Sequence, residues 1–231
     1  MRWTSFVVTL LPTAFANVEK TIFKAPPSIT IPQTQPNFEH LCLHTLTPSR
    51  PTLNTDLAAR FPSEQAPRGI ESWHLLDDLS EGQRHELRIC WAAIQPTEFW
   101  LNVYTLNEVF DAPSLVTSLA AYSEQRKERA SCGSRSTLNP DTGTGNRRSL
   151  LFLRVQSAAD YFTTNNTLMR NPPDVHVDII LDPYVLGIFP RSLLPTAVYL
   201  LSLTIIGWYL SGYLWSIISK PPRANTKAHK A

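Results

Sequence analysis

The stretch Arg84-His85-Glu86-Leu87-Arg88-Ile89-Cys90-Trp91-Ala92 decides the fold class. Leu87, Ile89 and Trp91 alternate with Glu86, Arg88 and Cys90, the period of two that a strand with one buried face requires. Residues 98–106 alternate in the same way, with Phe99, Leu101 and Val103 on one face. Ile70–Leu76 and the stretches 150–155 and 175–181 read as further strands, and Asp77-Asp78-Leu79-Ser80-Glu81-Gly82 reads as a turn region. Upstream, residues 17–69 are rich in Pro and Thr, and their prolines forbid a long helix. Only short extended pieces, such as 18–23 and 40–44, fit between them. One short helix is expected where Pro113 suits a first helical position and Leu115, Leu119 and Tyr122 share a face. Residues 130–149 then form a flexible polar loop, a solvated insertion rather than a phosphate site. The expectation is a mainly β chain: an antiparallel β-sandwich-like domain of roughly 150 residues with one short helix. Leu79-x-x-Gly82 followed by His85 resembles fibronectin type III turn-and-strand spacing, with His85 where such domains keep a tyrosine.

The ends of the chain set its topology. Residues 193–219 contain no Asp, Glu, Lys, Arg or His. Roughly 20 such residues cross a bilayer, so the mean hydropathy of -0.14 averages unlike parts. A wholly soluble protein is excluded, and no second stretch of this length supports a multi-spanning transporter. Met1-Arg2-Trp3, the apolar Phe6-Val7-Val8-Thr9-Leu10-Leu11 and Ala14-Phe15-Ala16 read as a signal peptide cut after Ala16. The basic tail 220–231 then stays cytosolic and 17–192 is luminal, as a type I single-pass protein. A GPI-attachment signal would need the apolar run to end the chain. Lys227-Ala228-His229-Lys230-Ala231 resembles a lysine-based retrieval signal, but His229 occupies the third place from the end, and basic flanking is the simpler reading. Segment 17–192 carries a net −3, the tail +4 and Arg2 +1. The pI near 8.5 is therefore a tail beside a membrane and points to no nucleic-acid partner.

Within the span, Thr204, Gly207 and Ser211 form a small-residue face, and Gly212 and Ser216 repeat the spacing. Close helix packing needs such faces. Trp208 and Tyr209 lie near mid-span, which favours protein contact over the interfacial belt.

Three cysteines, Cys42, Cys90 and Cys132, lie in the luminal segment. One disulfide is possible there. Cys42 with Cys90 is the preferred pair, with the other pairings left open. Searching for chemistry finds no Asp-x-Asp, Gly-x-Ser-x-Gly, His-Glu-x-x-His or phosphate-binding glycine loop. His40, Cys42 and His44 alternate, but three ligands on one strand suit a tetrahedral metal site poorly. No catalytic residue, cofactor or metal is assigned. Asn165-Asn166-Thr167 is a sequon on the luminal side, making Asn165 the expected glycosylation site.

Several blocks carry a resemblance. They are Asn17-Val18-Glu19-Lys20-Thr21-Ile22-Phe23, then Gly69-Ile70-Glu71-Ser72-Trp73 through Arg88-Ile89-Cys90-Trp91-Ala92, and Ala159-Asp160-Tyr161-Phe162-Thr163. Val177-Asp178-Ile179-Ile180-Leu181-Asp182-Pro183 through Phe189-Pro190-Arg191-Ser192-Leu193 completes them. Together the chain resembles the fungal co-activator subunit of GPI mannosyltransferase II, from the signal peptide to the span and apart from the polar loop. The resemblance implies an endoplasmic-reticulum membrane glycoprotein without catalytic activity. Its implied partner is the multi-spanning enzyme that adds the second mannose to the GPI-anchor precursor. A luminal chaperone or trafficking adaptor for other membrane proteins is the alternative.

Overall fold

The alternation in the central stretch becomes strand β6 (Arg84–Trp91), which lies between β1 (Val18–Lys24) and β10 (Val175–Val185), antiparallel to both. The structure, a computed structural model, describes residues 17–30, 38–129 and 147–219. β4 (Thr52–Leu57) pairs with the far edge of β10, and β11 (Phe189–Pro190) forms a hairpin on its end, giving the order β1-β6-β10-β4. A second sheet runs β3 (His44–Leu46), β5 (Ile70–Leu76), β9 (Leu151–Ala159) and β7 (Thr97–Tyr104). The β3–β5 pair is parallel and the others are antiparallel. Two short strands, β2 (Ile29–Thr30) and β8 (Arg147–Arg148), make a separate ladder. The last segment of the polar loop is therefore paired, and Ser149 is buried with its hydroxyl donating to Pro26 C=O at 2.7 Å.

One core lies between the sheets. Leu87 and Ile89 of β6 and Val177, Ile179 and Leu181 of β10 meet Leu46, Leu76, Leu101, Leu153 and Val155 from the second sheet. Each fully buried aliphatic side chain contributes about 1.5–3 kcal/mol. The opposite face of the second sheet is also apolar, with Trp73 and Leu75 on β5 and Phe152 on β9. A sheet apolar on both faces needs cover on both. Helices α1 (Leu106–Asp111) and α2 (Pro113–Arg129) supply it through Val109, Leu115, Leu119 and Tyr122. The domain thus has three layers, sheet, sheet and helix.

This corrects the expectation of one short helix. α2 has 17 residues, α1 precedes it, and α3 (Asn166–Arg170) follows β9. α1 begins at Thr105, whose side chain accepts from Glu108 N while the Glu108 carboxylate accepts from Thr105 N at 2.7 Å. That capping box ends the strand expected over 98–106. The piece 40–44 is not one strand either: Phe38–Leu41 is a 3-10 turn and Cys42 has φ 53, so His40, Cys42 and His44 do not share a strand face. The parallel β3–β5 pair and the covering helices also depart from the two-sheet fibronectin type III plan. His85 is buried against Phe23 (ring centroids 5.6 Å) and its Nδ1 lies 3.2 Å from Gln83 C=O.

His74 stands out in the sandwich core. It is fully buried, neither ring nitrogen has a hydrogen-bond partner among the described residues, and it stacks on His44 at 6.1 Å. Burial, with the His44 and Arg126 charges adding to it, pushes its pKa down to about 3. A His whose folded pKa lies below its unfolded value binds fewer protons when folded, so stability falls as pH drops from about 6.5 towards 3. Between pH 7 and pH 5 His74 alone costs about 2 kcal/mol. His74→Leu should remove most of that loss, read as a smaller drop in thermal midpoint between the two pH values.

Candidate partner interface

The first sheet turns one polar face outwards, and this face leads into the span. The register sets Val18, Lys20 and Ile22 of β1 beside Cys90, Arg88 and Glu86 of β6, then Asp178, Ile180 and Asp182 of β10. Glu86 is buried between Lys20 and Arg88, with N···O distances of 4.0 and 3.7 Å. Asn54 of β4 donates to Asp178 at 2.8 Å, and His176 Nδ1 lies 2.8 Å from Asp56. Val18 and Ile22 remain exposed on the outer strand. The alternation of β6 indicates such a face, but its charge partners come from strands distant in sequence and could not be read beforehand.

β10 passes to the span almost without a linker. After β11, a 3-10 turn at Arg191–Leu193 enters α4 (Leu194–Ile218) directly. Ser192 N donates to both carboxylate oxygens of Asp182, each at 3.3 Å, tying the junction to β10. α4 has 25 residues, about 37 Å at 1.5 Å per residue, which exceeds the roughly 30 Å hydrocarbon core. It is long and apolar enough to cross a membrane, and none of that window is buried by the rest of the described residues. Gly207 and Ser211 line a shallow groove with Leu210, Leu214, Trp215 and Ile218. Thr204 is not part of that groove, and its hydroxyl donates to Leu200 C=O at 2.8 Å. Gly207 and Ser211, the two smallest residues of the expected face, share this groove with Trp215.

The preferred disulfide is corrected. Cys42 is disulfide-bonded and Cys90 is a free thiol. Cys90 lies on the outer face of the first sheet, whereas Cys42 sits between Leu41 and Leu43, which pack under the helices. Packed sheets stand about 10 Å apart, beyond the Cα separation a disulfide tolerates. Cys132 lies outside the described residues. Burial pushes the Cys90 thiol pKa up, with Asp178 adding to it against Arg88, so the thiolate is scarce at neutral pH.

Asn165 is exposed and caps α3, its side-chain oxygen accepting from Thr167 N at 3.0 Å. Ala14 and Ala16, where signal cleavage is expected, and the tail 220–231 lie outside the described residues. Of the residues weighed for chemistry, Asp77 is buried and paired with Arg148 at 3.3 Å, and its Oδ1 accepts from Asp78 N at 2.8 Å. That is turn chemistry. Among the described residues no group of three or more His, Cys, Asp or Glu side chains could hold a metal ion. A cleft of about 260 Å³ at the sandwich end remote from the span is lined by residues such as Ala59, Pro96, Tyr161, Leu168 and Val175. None of its lining residues is an acid, a histidine, a lysine, an arginine or a cysteine.

No family model, no curated protein and no solved structure matches the chain.

Proposed function

We infer that the chain is a non-catalytic accessory subunit of the endoplasmic-reticulum mannosyltransferase that adds the second mannose to the GPI-anchor precursor. One observation carries the reading. Of the blocks on which the resemblance rests, those at 17–23, 88–92 and 177–193, though scattered in sequence, meet as the neighbouring strands β1, β6 and β10 and as the junction entering α4, whereas 69–73 lies on β5 of the second sheet and 159–163 follows β9. A partner-binding subunit needs a continuous surface running from the membrane into its ectodomain, and these strands and the span provide one. In this reading the sandwich is luminal, the signal peptide is removed after Ala16, and the span face at Gly207 and Ser211 packs against a helix of the multi-spanning enzyme. The outer sheet face, with exposed Val18 and Ile22 among fixed charges, meets the enzyme's luminal loops.

Luminal placement has its own check. Asn165→Gln should raise gel mobility by one glycan, and endoglycosidase should move the wild-type band to the same position. A wild-type band unmoved by the enzyme would put the glycan claim aside.

The functional test is depletion. Cells lacking the chain should accumulate the precursor carrying a single mannose. Re-expressed variants Asp77→Asn with Asp78→Asn, Asp178→Asn, or His40→Gln with His44→Gln should restore elongation in proportion to their abundance. Normal elongation without the chain would defeat the reading. A variant with normal abundance and partner capture but no product would show that the chain contributes chemistry.

A further inference from the structure

The hairpin between β10 and β11 exposes an apolar tip at the entrance to the span. Leu186 is 89% exposed and Ile188 is 72% exposed. Residues 185–188 form a turn closed by Ile188 N–H to Val185 C=O at 3.1 Å, with φ 53 at Leu186 and 70 at Gly187. Two positive φ values mark the hairpin turn that favours Asn-Gly or Asp-Gly. Leucine is disfavoured there by its Cβ, and its exposed side chain gains nothing from water. Asparagine would serve this turn better in solution. Leucine serves it better where the tip is out of water.

We propose that this tip is seated in the lipid headgroup and upper acyl region beside α4, giving the ectodomain a second point of membrane attachment. Position argues for lipid. Six residues lead from Ile188 to Leu194, the first residue of α4, so the two lie within roughly 20 Å even if that segment were fully extended. The 3-10 turn shortens the path, and the Asp182–Ser192 bonds hold the junction against β10. Gly187 meets nothing within 4 Å of a built Cβ, so no other part of the described chain covers that position. Exposed Arg191 follows, placed to reach lipid phosphates while its stem covers apolar surface. Two apolar side chains at this depth add to the anchoring that α4 provides. They also fix how the sandwich stands on the bilayer, which a single helix joined by a free linker would not. The inference rests on α4 crossing a membrane and not on the identity of any partner.

The test uses the full chain in phosphatidylcholine vesicles on a Cys90→Ser background. A nitroxide is attached at Leu186→Cys or Ile188→Cys. Two further sites serve as references: Leu210→Cys within the span and Ile94→Cys, 89% exposed in the turn after β6 at the remote end of the sandwich. Relaxation by oxygen, which concentrates in lipid, is compared with relaxation by a water-soluble nickel chelate. Sites 186 and 188 should show an oxygen-to-nickel ratio several-fold above that of site 94 and below that of site 210. With site 210 deep, a ratio at 186 and 188 equal to that at 94 overturns the proposal. Shielding from both reagents also overturns it, in favour of contact with protein. If site 210 itself reports water, the spanning reading fails and the proposal falls with it.

Discussion

Leucine at both Gly207 and Ser211 should reduce co-purification of the proposed mannosyltransferase partner by roughly tenfold, with abundance and membrane insertion unchanged. The reasoning separates folding from binding. Among the described residues, nothing beyond the helix's own adjoining backbone lies within 4 Å of a Cβ built at Gly207, and the groove is lined by α4 alone. Added bulk therefore meets only an approaching helix. In lipid, helix association lacks a hydrophobic drive and depends on close packing, so filling the groove removes the contact itself. Thr204→Leu should have a smaller effect, because threonine already fills more of the face than glycine or serine does and its hydroxyl is spent on Leu200 C=O. Quantitative capture in mild detergent checks both. Equal losses from Thr204→Leu and from the double variant would move the contact to the other end of the stripe.

Gly69→Ala should destabilise the domain by about 3 kcal/mol, chiefly through a backbone clash. Gly69 has φ 74, and a Cβ there would sit 2.0 Å from the Ser157 carbonyl oxygen and 2.9 Å from Ala158 Cα. Those atoms belong to β9, held between β5 and β7, so they cannot give way. For a domain of this size the thermal midpoint should fall by roughly 6–12 °C. Gly187→Ala is the control: its φ of 70 is equally unfavourable, but its surroundings are open. It should lose only about 1 kcal/mol. Equal losses at the two sites would show that backbone conformation, rather than the close approach of β9, sets the requirement for glycine.

The sandwich was legible where a strand alternates or lacks charge. Leu87-x-Ile89-x-Trp91 declared β6, and Ile70–Leu76 fell on β5 as expected. β10 is legible only over 175–181, where the apolar alternation is plain, yet it continues through Pro183 to Val185, where the chain turns into the hairpin. β4 was lost in the proline-rich region because its pattern, Leu53, Thr55 and Leu57 against Thr52, Asn54 and Asp56, is short and only weakly apolar. α1 was missed although Thr105 and Glu108 stand at capping-box spacing, since the alternation of β7 seemed to run through them. The wrong disulfide has a topological cause: sequence spacing does not tell that Cys42 lies in a turn on the helix-covered side while Cys90 faces outwards from the first sheet. The outer-face pairs Asn54–Asp178 and His176–Asp56 link residues more than a hundred positions apart. No local pattern encodes them. The span's small-residue face, Thr204, Gly207 and Ser211, by contrast, is read from helical spacing alone.

The most direct measurement is affinity purification of the full chain from its native membranes in mild detergent, followed by quantitative protein identification. The account predicts one multi-spanning mannosyltransferase recovered in near-stoichiometric amount with this chain. Recovery of many unrelated membrane proteins at low occupancy, with no mannosyltransferase enriched among them, would contradict it and point to a trafficking adaptor.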